Sequence, residues 1–394
     1  MTVHPAFPTH AAEAAPLTVR VVDPLALSDD LAAAWDGLAA AASEPNPFVE
    51  RWCLQSALHL LDPERQARLV MVMTGSDGPL IGVMPLAPAA RYGPLPLRHV
   101  VGWAHPNHFH GAPLVRAGCE TLFWSILLGW CDAAPWAQTL VQVPRLTEDG
   151  PLHRALAEVV RGRGDKAEAV HREERALLES DLSPAAYWEA VMRGKKRKEL
   201  RRQANRLAEL GPLTFRQWRS GDAIEGWIDA FLDLEVRGWK GRAGSALASQ
   251  SETEAWFRAI LAAAAEAGRL DMRALDLGER PIALLINFVT PPGAFSFKTA
   301  FDEEYARFSP GVLLQQANLD ILADARVAWV DSCAAPDHPM IDSVWRERRR
   351  LVWINAPLSG ASDRWRFRAL ARAEKIWRRL KRAAPKPPIE QDPS

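Results

Sequence analysis

The chain has 394 residues, 48% apolar and 24% charged, a composition that excludes a chain disordered throughout and leaves room for two domains. Its 48 basic residues balance 48 acidic ones, so attraction to nucleic acid or membrane has to come from local clusters. The four cysteines, Cys53, Cys119, Cys131 and Cys333, form no CxxC pair, which speaks against a zinc ribbon and a disulfide framework and fits reduced thiols in a cytoplasmic protein.

Residues 1–16, MTVHPAFPTHAAEAAP, lack the apolar run of a secretory signal and read as a flexible arm. No stretch approaches the roughly 18 uncharged apolar residues of a membrane-spanning helix. Periodicity then predicts a strand over Leu17 to Val22 and helices over Asp30 to Ala42 and Phe48 to Leu61. Three strands follow, ARLVMVMTG, PLIGVMPLA and LRHVVGWA, then a helix (Thr121 to Cys131), TLVQVP, a helix (Leu152 to Arg161) and AEAVHREE. The second half opens with helices over Pro184 to Met192 and Lys195 to Leu210, the strand LTFRQW, and helices over Ala223 to Val236 and Glu252 to Ala267. LDMRALDL, PIALLINFV and AFSFKTAF come next, then a helix (Gly311 to Ala323), RVAWVD, a helix (Ile341 to Arg349) and LVWINA.

The halves share one order of elements with little residue identity, a repeat of architecture. Antiparallel strands followed by strand, helix, strand imply an α/β fold with mixed sheets flanked by helices, and a cleft where antiparallel pairing gives way to parallel. The lobes are expected at 17–178 and 179–357, with a basic amphipathic tail at 358–394.

The stretch SFKTAFDEEYARFSPGVLL joins a strand to a helix that starts at Ser309, Pro310 and Gly311. Ser309 suits the N-cap, Pro310 the first turn, and Gly311 a close approach of ligand to backbone. Free N–H groups at such a start suit a phosphate, and Lys298, Asp302, Glu303 and Tyr305 stand at the strand end and in the loop. No GxxxxGK[ST] or GxGxxG is present, so a known nucleotide loop is excluded.

These residues carry a resemblance. FKTAFDEEYARFSPGVLL is similar to the signature of the CelD-like branch of the GNAT acyltransferases, associated with cellulose and exopolysaccharide biosynthesis, with Lys298, Ala300, Asp302, Tyr305, Ser309, Pro310 and Gly311 in place. Phe301 and Phe308 stand where that pattern has tyrosine. LEVRGWKGRAGSAL resembles a second family stretch through Glu235, Trp239, Lys240, Gly241, Gly244 and Ser245. The likeness covers about residues 185 to 355. FemAB-like transferases, which also carry two such lobes and draw on aminoacyl-tRNA, look like more distant relatives.

The resemblance implies tandem GNAT-like lobes, the first degenerate, and acetyl-CoA or another acyl-CoA as co-substrate. Its phosphates would lie at Ser309, Pro310, Gly311, Val312 and Leu313, and its thioester beside AFSFKTAF. Asp331 is the expected base, with Glu303 and Glu235 as alternatives, and Tyr305 the expected acid. Glu235, Trp239, Lys240, Lys298 and Asp302 are expected at the substrate, an amine of a sugar, lipid-linked or other envelope precursor. A non-catalytic partner of a polysaccharide-synthesis complex is the further alternative.

Three features stand outside that reading. His105, His108 and His110 share a loop with no carboxylate at metal-ligand spacing, so no metal is expected. RGKKRKELRRQANRL packs eight basic residues into Arg193 to Arg206, a solvated helix face or a seat for an anionic acceptor, CoA phosphates or RNA. RWRFRALARAEKIWRRLKRA is a basic amphipathic helix that either packs on the second lobe or lies on anionic lipid, which would place the protein at the inner face of the membrane.

Overall fold

In the computed structural model the described residues are 17–75 and 78–383, with only the backbone described over 376–383. The expected arm at 1–16 lies outside them. The first half runs β1 (Leu17–Val22), α1 (Asp29–Ala40), α2 (Arg51–Leu60), β2 (Arg68–Thr74), β3 (Leu80–Ala89), β4 (His99–Gly102), β5 (Leu114–Val115), α3 (Glu120–Ala133), β6 (Leu140–Thr147), α4 (Pro151–Gly162) and β7 (Glu168–Leu178). The second runs α5 (Pro184–Val191), α6 (Gly194–Ala208), β8 (Leu213–Gln217), α7 (Glu225–Arg237), α8 (Trp239–Arg242), α9 (Ser251–Glu266), β9 (Leu270–Leu277), β10 (Arg280–Thr290) and β11 (Gly293–Phe301). It ends with α10 (Pro310–Asn318), β12 (Trp329–Asp331), α11 (Pro339–Asp342), β13 (Glu347–Pro357) and α12 (Ala361–Ala383).

Local chemistry explains several boundaries. The Ser28 hydroxyl accepts the Leu31 N–H at 3.3 Å to cap α1, and Ser183 caps α5 with Pro184 in its first turn. In α4 the buried residues Leu152, Ala155, Leu156, Val159 and Val160 recur at helical spacing, so one stripe faces the sheet.

Mixed pairing continues from one half of the chain into the other. All strands join one 13-stranded sheet whose order is β1-β2-β3-β4-β6-β13-β7-β12-β11-β10-β9-β8, with β5 beside β3. The last strand of each half is exchanged: β7 pairs with β12 of the second half, and β13 pairs with β6 of the first. The two exchanged strands also pair with each other along most of their length, from Glu347 opposite Leu177 to Asn355 opposite Glu168. Neither half completes its sheet without the other.

An apolar core bridges the halves. Phe48 and Trp52 of the first half pack with Phe231, Trp256, Phe288 and Phe295 of the second, with ring centroids 5.8 Å apart for Phe48 and Phe295 and 5.0 Å for Trp52 and Phe288. Each such side chain contributes roughly 1.5–3 kcal/mol on burial.

The exchanged strands carry charge into the interior. Asp331 at the end of β12 is fully buried; Arg175 of β7 donates from Nη2 to Oδ2 at 2.7 Å, with its Nε 2.6 Å from Oδ1, and Arg349 of β13 donates from Nη1 to Oδ2 at 3.0 Å. Burial alone would raise the Asp331 carboxyl, but Arg175 and then Arg349 outweigh it and hold the group below its ordinary range.

Two expectations fail at the C-terminal end. The helix predicted over Ile341 to Arg349 is only the short α11, because β13 already begins at Glu347: Arg348 and Arg350 face outward, and Arg349 is buried against Asp331. The basic tail helix, expected on the second lobe, buries among its described side chains Phe367 and Leu370 against Leu140 of the first half, beside Tyr92 and Leu97.

Replacing Asp331 by alanine leaves two guanidinium groups facing each other in the interior. The expected loss is about 3–5 kcal/mol of unfolding free energy, measured by denaturant titration. A loss below about 1 kcal/mol would mean that the triad does not hold the exchanged strands.

Candidate active site

β11 and β12 run parallel for only three pairs, Gly293–Trp329, Ala294–Val330 and Phe295–Asp331. β11 continues to Phe301 while β12 stops, so the sheet opens. The stop is local chemistry: the Asp331 Oδ1 accepts the Cys333 N–H at 2.9 Å, and Cys333 takes a left-handed φ of 52° that turns the chain away. β11 also carries a bulge, since Ser296 faces Asn287 and Lys298 faces Ile286, leaving Phe297 without a partner in the ladder.

A cavity of about 420 Å³ fills the opening, walled by Phe109, Phe297, Phe301 and Met340 and reached by Lys240, Lys298, Gln315, Cys333 and His338. Apolar walls with a few polar groups are the make-up of a small-molecule site. Trp239, 60% exposed, lines the same cavity. It is set by the Gly-Trp-Lys-Gly turn: a side chain at Gly241 would run into the Val236 carbonyl, and Glu235 holds the Lys240 ammonium at 2.7 Å and the Leu247 N–H at 2.7 Å.

The expected carboxylate bases are all engaged. Asp331 is shut in its arginine triad and does not line the cavity, so it stands in the interior as a paired anion. Glu303 accepts from Arg242 and from the Trp239 N–H, each at 2.6 Å, and the Arg242 bond foremost lowers its carboxyl, which makes it a poor proton acceptor. Glu235 is buried under Lys240; Asp302, expected at the substrate and not as a base, is paired with Arg280. The expected acid, Tyr305, packs beside Leu207, Leu285 and Phe308 and does not line the cavity.

Lys298 is different. It is partly buried and lies over the Phe297 ring at 5.4 Å, and it makes no ion pair among the described residues. Burial first, and then the nearby Lys240, bring its ammonium down to about 8, with Glu235 pulling the other way. Cys333 shares the cavity, but burial pushes its thiol upward, away from thiolate chemistry.

The expected phosphate seat is narrower than its sequence suggests. Ser309 is left-handed at φ 55° and makes no side-chain cap, and its carbonyl accepts the Val312 N–H at 3.0 Å and the Leu313 N–H at 3.1 Å. Pro310 has no N–H, and the Ser309 N–H is given to the Ala306 carbonyl, so within residues 309–313 the Gly311 N–H is the one without an acceptor among the described residues. The space where a Gly311 side chain would stand is taken by Met340, with Sδ at 2.7 Å, so packing accounts for this glycine. Phe308 is buried in the core and Phe301 lines the cavity, so of the two tyrosine replacements only Phe301 faces the site.

Sequence reasoning missed Gln315 and Met340, and it had no signal for Phe109. That side chain comes from the first half, on the loop of His105, His108 and His110, whose carbonyls are held by Arg175 at Phe109 (2.8 Å), Arg145 at His108 (3.0 Å) and Asn46 at His110 (3.0 Å). The histidine rings are buried against Trp256, Phe48 and Phe295. Among the described residues no group of three metal-ligating side chains converges.

Comparison with known proteins now adds to this geometry. Residues 194–338, which include β11, α10, β12 and most of the cavity, match the family model described as an acetyltransferase (GNAT) domain. The chain therefore carries a GNAT domain, an enzyme domain of the acyl-CoA-dependent acyltransferases. Among solved structures it is similar to FemX (9% identity, TM-score 0.56, covering 87% of this chain and 98% of that one). It is also similar to a conserved protein of unknown function from Bacteroides thetaiotaomicron VPI-5482 (10% identity, TM-score 0.53, covering 86% and 100%). These two likenesses extend over both halves and show a shared fold. No curated protein sequence matches the chain.

The buried histidines give a pH test. Burial lowers all three, His108 to about 4, so their stabilising effect is complete above the ordinary histidine range near 6.5 and is lost as pH falls toward about 4. Thermal unfolding should drop steeply across that window, by of the order of 3 kcal/mol from His108 alone. His108→Gln should flatten the drop, and an unchanged profile would remove the histidine from its cause.

Proposed function

We propose that the cavity between β11 and β12 transfers an acyl group from acyl-CoA to an amine of a sugar, lipid-linked or other envelope or exopolysaccharide precursor. The observation that carries this reading is the opening of the sheet inside the GNAT domain, with a lysine that no acid pairs among the described residues in its wall. The thioester would lie along β11, with its phosphates toward Gly311 and the exposed cations of α6, a helix whose Leu207 packs in one cluster with Leu313 of α10. The resemblance of the 298–311 and 235–245 stretches to the CelD-like branch supports the precursor class. Trp239 at the rim offers a flat face to a sugar ring.

The amine nitrogen attacks the thioester carbon, the C–S bond breaks, and CoA leaves as thiolate. The proton shed by the attacking nitrogen passes to Lys298, whose neutral form carries the free electron pair, and from there to the thiolate or solvent. A second reading, transfer from aminoacyl-tRNA, is favoured by α6 alone, where Lys195, Lys196, Lys198 and Arg201 are exposed with no ion pair among the described residues.

Two measurements test this. Acetyl-CoA at about 100 times its Kd should add about 2.7 kcal/mol to stability; stabilisation by tRNA and not by any CoA thioester would favour the second reading. Acyl transfer should rise with pH through about 8. Lys298→Met should lose about 10²–10⁴ in kcat together with that pH limb, and Lys298→Arg should not restore either. Full activity in Lys298→Met would remove the lysine from the reaction. For the acceptor, Trp239→Ala should raise KM and leave kcat nearly unchanged, and a loss confined to kcat would argue against a binding platform.

A further inference from the structure

The helix α12 has two faces of different character. Inward, Phe367 and Leu370 are each 5% exposed, and charged contacts fix the helix to the first half: Arg364 and Arg368 to Asp165 (3.0 and 3.2 Å) and Lys375 to Glu168 (3.0 Å). Glu374 is bound by the Tyr92 hydroxyl, and Asp363 accepts the Thr139 N–H. The acids on and beside this part of the helix are thus engaged by the protein itself.

The outward face has no such cover. Trp365 is 72% exposed, the most exposed large apolar residue among those described, and Arg366, Ala369, Arg372 and Ala373 are exposed with it. Arg366 has only a distant contact with Asp363 at 3.9 Å, and Arg372 makes no ion pair among the described residues. The sequence of α12 holds nine basic residues against two acidic ones. A second observation comes from the loop at 90–98, which packs on the same helix through Tyr92 and Leu97: it exposes Leu95 (43%) between the exposed Arg91 and Arg98.

A tryptophan and a leucine kept in water next to arginines with no close ion pair among the described residues are costly beside an aqueous phase and favourable at the headgroup level of a bilayer, where the ring meets the acyl boundary and the guanidinium groups meet lipid phosphate. No helix among the described residues is long and apolar enough to cross a membrane, so α12 would lie on the surface. We propose that the outward face of α12, with the 90–98 loop beside it, docks on a bilayer surface that carries anionic lipid. An RNA would use the same cations but has no use for Leu95 and the alanines between them.

The test uses the full chain in co-sedimentation with vesicles of phosphatidylcholine alone or mixed with phosphatidylglycerol. Binding is expected to the mixed vesicles only, weakening as salt is raised. Trp365→Ser combined with Arg372→Glu should lower vesicle affinity about tenfold or more with an unchanged Tm. If that variant unfolds, Leu95→Ser with Arg98→Glu on the loop serves the same purpose. Equal binding to both vesicles, no binding, unimpaired binding by a folded variant, or displacement from vesicles by RNA would each overturn the proposal.

Discussion

One buried carboxylate, Asp331, accepts from arginines on the two strands that the halves of the chain exchange. Inside a protein such a group is tolerated only if its lone pairs are matched, so the triad admits one register of β7, β12 and β13 and penalises others. The same carboxylate receives the Cys333 N–H that ends β12. Pairing of the halves and opening of the sheet therefore rest on the same few atoms.

The chemistry of the cleft follows from where charge is left over. Every acid that the sequence offered as a base is already bound, Asp331 to Arg175 and Arg349, Glu303 to Arg242 and Glu235 to Lys240. Lys298 keeps an unpaired ammonium against an aromatic ring among the described residues, and burial there favours the neutral amine. A site lined by Phe109, Phe297, Phe301 and Met340 strengthens any dipole or charge inside it.

Much of the fold was legible because it is written in local periodicity. The buried stripe of α4, the serine caps of α1 and α5 and the nearly continuous apolar runs of β2 and β10 are each set within a few residues. The start of β13 at Glu347–Arg350 was not legible as strand, since its inward arginine is explained only by an aspartate on another element. The packing at Gly311 was hidden for a similar reason: its neighbour Met340 lies 29 residues further along the chain. The stretch around Lys298 borders the cavity, while the partners of its carboxylates, Arg242 and Arg280, lie on elements outside that stretch.

The sequence by itself determined the order of elements in both halves, the Lys298 strand with its following helix, and the Gly-Trp-Lys-Gly turn that positions Trp239. These depend on spacing, caps and backbone freedom, which act over a turn or two of chain. Tertiary structure alone decided that the halves exchange strands, that Asp331 is an interior anion and Lys298 a cation without an ion pair among the described residues, and that Phe109 from the first half walls the cavity of the second. Burial and charge pairing are properties of groups brought together from distant parts of the chain, so no window of sequence contains them.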